Sequence, residues 1–244
     1  MKIDHPSVTQ IPQLRKLWKE SFEDTEAFLD HFFQVAFSPL RCMCVTVENE
    51  IIAAAYWFPC ERYAYIYAVA TAPQHRGKGI CHTLMEKIHQ CLAAGGYAGC
   101  VLVPGEESLR QFYRTMNYEN FGGVEEFDAV AGSPIPLREL SLQEYASLRK
   151  EYLPQGGVLQ EGINLEFLSH WTQFYKGENV LLSALWDDGK LEVLELLGDK
   201  DSAPSIVAAL GADTGWFRTP GETPFAMHRP LCENIAPKYF GFCF

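Results

Sequence analysis

Apolar residues recur at helical spacing near the start of the chain, at Ile11, Leu14, Leu17 and Trp18. They do so again at Phe28, Leu29, Phe32, Phe33 and Phe37, which predicts two helices, the second capped by Asp24-Thr25. Residues 42–47 and 51–58 then read as strands joined by a tight antiparallel turn at Glu48-Asn49-Glu50. A third run, 63–70, is rich in aromatic and small apolar residues and ends at Pro73. From Ile80 the apolar positions fall every four residues, at Ile80, Leu84, Ile88 and Leu92, one stripe on a helix that Gly95-Gly96 would stop. A short strand at 100–103 and a helix at 108–116 follow. Strand, helix and strand in succession predict a right-handed crossover that sets 63–70 and 100–103 parallel.

The pattern changes at Phe121-Gly122-Gly123 and at Ala131-Gly132-Ser133-Pro134-Ile135-Pro136, so two domains are expected, 1–132 and 133–244. The second half carries Ser147-Leu148-Arg149-Lys150, similar to Gln13-Leu14-Arg15-Lys16. It also carries a second hairpin pattern, 180–186 and 190–197, about Asp187-Asp188-Gly189. A degenerate internal repeat is the expectation.

Apolar residues make up 48% of the 244 residues and charged ones 21%, enough for a substantial core without disulfides or metal. The eight cysteines are scattered and form no Cys-x-x-Cys pair, and Cys42 and Cys44 read as buried free thiols on one strand face. His31, His170 and His228 have no metal-ligand spacing around them, so no metal site is expected. The N-terminus lacks a signal-peptide pattern, and no run reaches the ~20 apolar residues of a membrane span. A reducing cytoplasm and no membrane partner are expected. The formal net charge of −11 argues against a nucleic-acid partner, which needs a basic face, and would attract a cationic one.

The stretch with most chemical content is Val69-Ala70-Thr71-Ala72-Pro73-Gln74-His75-Arg76-Gly77-Lys78-Gly79-Ile80-Cys81, between a predicted strand and a predicted helix. Gly77 and Gly79 let backbone N–H groups approach an anion, the helix start adds positive partial charge, and Arg76 and Lys78 add full charges. A P-loop needs Gly-Lys followed by Ser or Thr, which is absent, and a dinucleotide fingerprint needs a third small residue and a later acidic one. What remains, Gln-x-x-Gly-x-Gly after a strand, resembles the GNAT superfamily of N-acetyltransferases. The resemblance covers roughly residues 1 to 130 and includes Phe112-Tyr113 on the helix before Asn117-Tyr118, where the family commonly has Gly-Phe.

That resemblance implies an α/β (α+β) fold with a mixed, mainly antiparallel sheet flanked by helices, followed here by a smaller GNAT-like lobe. It implies acetyl-CoA as acyl donor, its pyrophosphate held at Gln74, Arg76, Gly77, Lys78, Gly79, Ile80 and Cys81, and its pantetheine arm along Val69, Ala70 and Thr71. Tyr113 takes the position of the family's acid, the other reading being a packed core aromatic. An alkylamine is neutral in only roughly one molecule in a few thousand at pH 7, so a base is useful. Glu61 is the candidate, if strand alternation puts it on the face of Tyr63 and Tyr65; otherwise it is an exposed strand-end residue. His75 is expected beside the phosphates, and His82 and His89 off the apolar stripe of their helix, exposed or packed. The acceptor is read only as a primary amine on a small molecule or peptide. The second lobe, with Asp199 and Asp201 where the cradle would be, is expected to bind no CoA and to wall the acceptor site or mediate oligomerisation. A catalytically weak acyl-CoA sensor is the alternative.

Overall fold

Pro12 in its first turn starts α1 (Ile11–Lys19), whose periodic Leu14, Leu17 and Trp18 are buried. In the computed structural model, which describes residues 1–233 and 235–243, this helix follows β1 (Lys2–Asp4). The Thr25 side chain accepts from the Phe28 N–H and caps α2 (Glu26–His31). The helix expected to run on to Phe37 instead widens into a π-turn at Phe32–Ala36, closed by Phe37 N–H to the Phe32 carbonyl. The wider turn lets Phe32, Phe33 and Phe37 all reach the Tyr56 ring, at 5.2, 6.4 and 6.3 Å.

β2 (Cys42–Val47), β3 (Glu50–Cys60) and β4 (Tyr63–Thr71) form an antiparallel meander, with β1 antiparallel to β2. The β2–β3 turn has positive φ at both Glu48 and Asn49, the geometry that matches strand twist in a two-residue hairpin. α3 (Ile80–Ala94) crosses back to β5 (Gly99–Leu102), which pairs parallel to β4 as the crossover rule predicts. α4 (Glu107–Arg114) ends where Asn117 takes the left-handed conformation, at φ 60°.

The chain divides into two compact units, Met1–Glu119 with His228–Ala236, and Asn120–Met227 with Pro237–Phe244. The change falls at Glu119, the first residue of β6 (Glu119–Val130), rather than at the glycine-rich 131–136. The glycines taken as linker signals serve close approach instead: a Cβ on Gly123 would lie 2.0 Å from the Gly221 carbonyl oxygen, and one on Gly132 3.2 Å from Pro204.

The second unit continues through β7 (Arg138–Leu140), α5 (Leu142–Tyr152), α6 (Ile163–Leu168) and β8 (Gln173–Lys176). Then come β9 (Val180–Asp187), β10 (Lys190–Gly198), α7 (Ala203–Ala209), β11 (Thr214–Pro220) and β12 (Thr223–Pro230). Its strands lie in the order β12-β6-β11-β10-β9-β8-β7. β10 and β11 pair parallel, and β6–β11, β10–β9, β9–β8 and β8–β7 pair antiparallel. From β7 to β11 the order of strands and helices repeats that from β1 to β5, and the parallel pair comes at the same step. Each unit is thus a mixed, mainly antiparallel sheet with helices against it.

The last residues of β12 return to the first unit. A Cβ on Gly99 of β5 would lie 2.4 Å from His228 Nε2, so β5 and this returning segment are in close contact.

Candidate active site

β4 supplies one wall of a cleft. Its pairing with β5 stops at Tyr65, leaving 66–71 to run on beyond the last β5 partner, Val101. Against β3, Ala54 faces Ala70 and Tyr56 faces Tyr67, so Ala68 and Val69 together oppose Ala55, a bulge. Ala68 has φ 48°, a strained value for a residue with a Cβ. Two consecutive residues are thereby taken out of one-to-one pairing where the strand enters the cleft.

The cleft, about 560 Å³, is lined by Val69, Ala70 and Thr71 of β4 and by His75, Arg76, Gly77 and Gly79 of the loop. The first turn of α3 adds Ile80, Cys81 and His82, the segment after α1 adds Ser21 and Phe22, and α4 with its leading residue adds Glu106, Leu109, Phe112 and Tyr113. Gly77 and Gly79 have φ 72° and 75°, and a Cβ at either would meet nothing within 4 Å, so the space beside the loop is open. The first N–H groups of α3 have no acceptor within their own helix. Arg76 Nε donates to the Thr71 carbonyl at 2.9 Å, tying the loop to the strand end, and Lys78 Nζ donates to the Gln74 carbonyl at 2.9 Å. One end of the cleft is therefore built of amides and cations that suit a pyrophosphate, and the other of apolar side chains that suit an acyl arm.

Tyr113 is buried, and among the described residues its hydroxyl has no hydrogen-bond partner. Burial raises its pKa, with Cys81 adding to the effect, so the group is an O–H donor at neutral pH. Burial also pushes the Cys81 thiol up to about 11, against a hydrogen bond with Thr71, so this thiol is not a ready nucleophile.

The fold brings together Val69, Ala70, Thr71, Arg76, Gly77, Gly79, Ile80, Cys81 and Tyr113. Gln74 and Lys78 lie in the same loop, exposed and outside the lining. Glu61 is elsewhere. It sits exposed in the turn between β3 and β4 with φ 52°, so strand alternation does not carry it onto the Tyr63–Tyr65 face. At roughly 3.3 Å per residue, the length of β4 separates it from Thr71 by about 30 Å. It lacks the reach of a base in this cleft. Phe22 and Glu106 were not legible as site residues, because neither belongs to a motif. His89, expected to be exposed or packed, is packed: it is 2% exposed, while His82 lines the cleft.

The profile of the family described as Acetyltransferase (GNAT) domain matches residues 2–121. The chain belongs to the GNAT family through this domain. Its fold is similar to that of a GCN5-related N-acetyltransferase from Kribbella flavida, with TM-score 0.72 and 20% identity over 95% of this chain and 71% of that one. A GCN5-related N-acetyltransferase from Anabaena variabilis gives TM-score 0.70 and 15% identity, over 94% and 72% of the two chains. Eis1 from Mycobacterium abscessus gives 0.68 and 14%, over 95% and 74%. A comparison with curated protein sequences finds no match. GNAT membership places the chain among acetyltransferases that draw their acyl group from acyl-CoA. Among the described residues no helix is long and apolar enough to cross a membrane, and no group of three His, Cys, Asp or Glu could hold a metal ion.

Proposed function

We propose that this GNAT domain transfers an acetyl group from acetyl-CoA to a primary amine of a small molecule or peptide, by direct attack of the amine on the thioester. One observation carries the reading: the open glycine loop at the start of α3, the bulged end of β4 and the largely buried Tyr113 line a single cleft. The thioester supplies the activated acyl group. Arg76, Lys78 and the amides of Gly77 to Cys81 hold the pyrophosphate, with Gln74 supporting the loop, and Val69 to Thr71 hold the arm. A backbone N–H freed by the bulge near Val69 polarises the carbonyl, and the Tyr113 hydroxyl donates to the sulfur as charge develops there. Glu106 is the carboxylate that lines the cleft, and it takes the proton-accepting role that Glu61 is too distant to fill. The eight free cysteines suit a reducing cytoplasm.

The second unit is assigned no CoA. Asp199 accepts from the Asp201 N–H at 3.1 Å and the Ser202 hydroxyl at 3.0 Å, so an acidic side chain occupies the groups that an anion would need. A Cβ on Gly198 would lie 2.0 Å from the Asn179 carbonyl oxygen, in contrast to the open space beside Gly77 and Gly79. This supports a degenerate GNAT-like lobe that serves acceptor choice or assembly.

The test is calorimetry with acetyl-CoA on the native chain and on Gly77→Val/Gly79→Val, followed by thiol release across a panel of primary amines. Binding lost in the folded variant, with amine-dependent thiol release by the native chain, is expected. Undiminished binding by the variant removes the cradle. Binding without amine-dependent release makes the protein a sensor.

A further inference from the structure

The segment that returns to the first unit carries Arg229, which is 16% exposed and reaches the back of the Tyr113 helix. Its guanidinium donates to the Met116 carbonyl at 3.0 Å, to His89 Nδ1 at 2.6 Å and to Glu86 Oε2 at 3.3 Å. A guanidinium only donates, so Nδ1 of His89 is the acceptor and the ring proton sits on Nε2. Nε2 in turn donates to the Tyr118 hydroxyl at 2.8 Å. The direction of every bond in the chain Arg229, His89, Tyr118 is thereby fixed.

Met116 and Tyr118 form the stop of α4. Their N–H groups both bond to the Tyr113 carbonyl, at 2.9 and 3.2 Å, and the Tyr118 ring lies 5.7 Å from the Tyr113 ring at 65°. Arg229 and His89 therefore grip that stop at two points, the Met116 carbonyl and the Tyr118 hydroxyl. None of Glu86, His89, Met116, Tyr118 or Arg229 lines the cleft, so none can touch a substrate there.

We infer that Arg229, acting through His89 and Tyr118, is a positioning residue that fixes the direction in which Tyr113 presents its hydroxyl to the cleft. The inference rests on the reading of Tyr113 as the acid. The returning segment His228–Ala236 thus completes a unit whose recognisable family pattern ends at residue 121.

The test is a double-mutant cycle. Arg229→Gln and Tyr118→Phe are each made with Tyr113 present and with Tyr113→Phe, and assayed with acetyl-CoA and the primary amine that gives fastest thiol release. With Tyr113 present, each is expected to lower kcat by about 10- to 100-fold while acetyl-CoA affinity stays within about twofold. In the Tyr113→Phe background the further loss is expected to be under about twofold, because the group being positioned is gone. Independently of turnover, the fluorine resonance of Tyr113 in fluorotyrosine-labelled protein without ligand should shift in both variants. Equal losses in both backgrounds, no loss with Tyr113 present, or an unmoved resonance overturns the positioning role. Tyr118→Phe removes one oxygen and decides the matter alone if Arg229→Gln does not fold. Full turnover by Tyr113→Phe by itself refutes the acid reading and the positioning role with it, whereas a slow Tyr113→Phe with silent partners refutes positioning only.

Discussion

The hydroxyl of Tyr113 keeps its proton because its surroundings are apolar, and an acid that never ionises near neutral pH acts only by donation. Tyr113→Phe should accordingly bind acetyl-CoA as before and turn over about 10- to 1000-fold more slowly, measured by thiol release at saturating donor. Glu61→Gln should leave kcat unchanged, since the side chain lies in an exposed turn. Glu106→Gln should lower kcat/KM for the amine most at pH 7 and progressively less as pH rises toward the amine's own pKa, where solvent removes the proton unaided. A pH-independent deficit would deny Glu106 that role. Ala68 is a different kind of residue, contributing through backbone shape alone. Nothing in Tyr67-Ala68-Val69 announces a bulge, which is why the sequence reading stops at the neighbouring Val69. The glycine loop was legible because its residue types are tied directly to the backbone conformations found, φ 72° at Gly77 and 75° at Gly79.

α3 joins the glycine loop to the polar network behind Tyr113, and that network makes its stability sensitive to pH. Burial, then the charge of Arg229, lowers His89 from 6.5 to about 4, and burial lowers His228 to about 4 as well. Both rings are neutral in the folded state, while in the unfolded chain they take up protons below about 6.5. Their contribution is therefore complete above pH 6.5 and lost as pH falls toward 4, by up to about 1.4 kcal/mol per pH unit for each proton. Glu86, its carboxyl lowered by its hydrogen bond to Arg229, acts in the same direction. Denaturant melts between pH 7 and 4 should show this decline, and His89→Gln should flatten it; an unchanged slope would mean that His89 is not held neutral. In the second unit, Arg149 of α5 and Glu195 of β10 form a fully buried pair through bonds of 2.7 and 2.9 Å, with the Tyr145 and Tyr239 hydroxyls donating to the same carboxylate. Glu195→Gln should cost about 3–5 kcal/mol in denaturant unfolding, because it strands a buried guanidinium. The period of four in α3 and the near-continuous apolar runs of β2, β3 and β4 could be read from apolar residues alone. The π-turn could not, since Phe28, Phe32, Phe33 and Phe37 fit an α-helical stripe equally well. His89 stands just outside the Leu84–Ile88–Leu92 stripe, so its burial depends on partners that the helix pattern does not contain.

The order in which the chain visits its two units was the feature least legible in the sequence. Arg229 meets Glu86 across 143 residues, and no periodicity or motif in the segment after Met227 marks it as part of the first unit. Charge is also divided unevenly: acidic and basic residues nearly balance in the first unit, whereas acidic ones outnumber basic ones by about two to one in the second, which would draw cationic acceptors toward it. The return segment leads to the sharpest prediction at this scale. A fragment of residues 1–132 contains the whole family match and the whole glycine loop, yet it lacks His228–Ala236. Gly99 would lose the neighbour against which its missing side chain allows close packing, and β5 would become an exposed edge. Glu86 and the buried His89 would lose the Arg229 guanidinium, and the Arg62 carboxylate partner, Glu233, would go too. Of these only His89 is buried, and leaving it unpaired costs roughly 1–3 kcal/mol, a sizeable share of the stability of a domain this size. The fragment should therefore melt without cooperativity or aggregate, and bind no acetyl-CoA by calorimetry, while the full chain binds one molecule. A cooperative melt close to that of the full chain, with acetyl-CoA affinity intact, would show that the first 132 residues suffice and that the returning segment is an attachment rather than part of the domain.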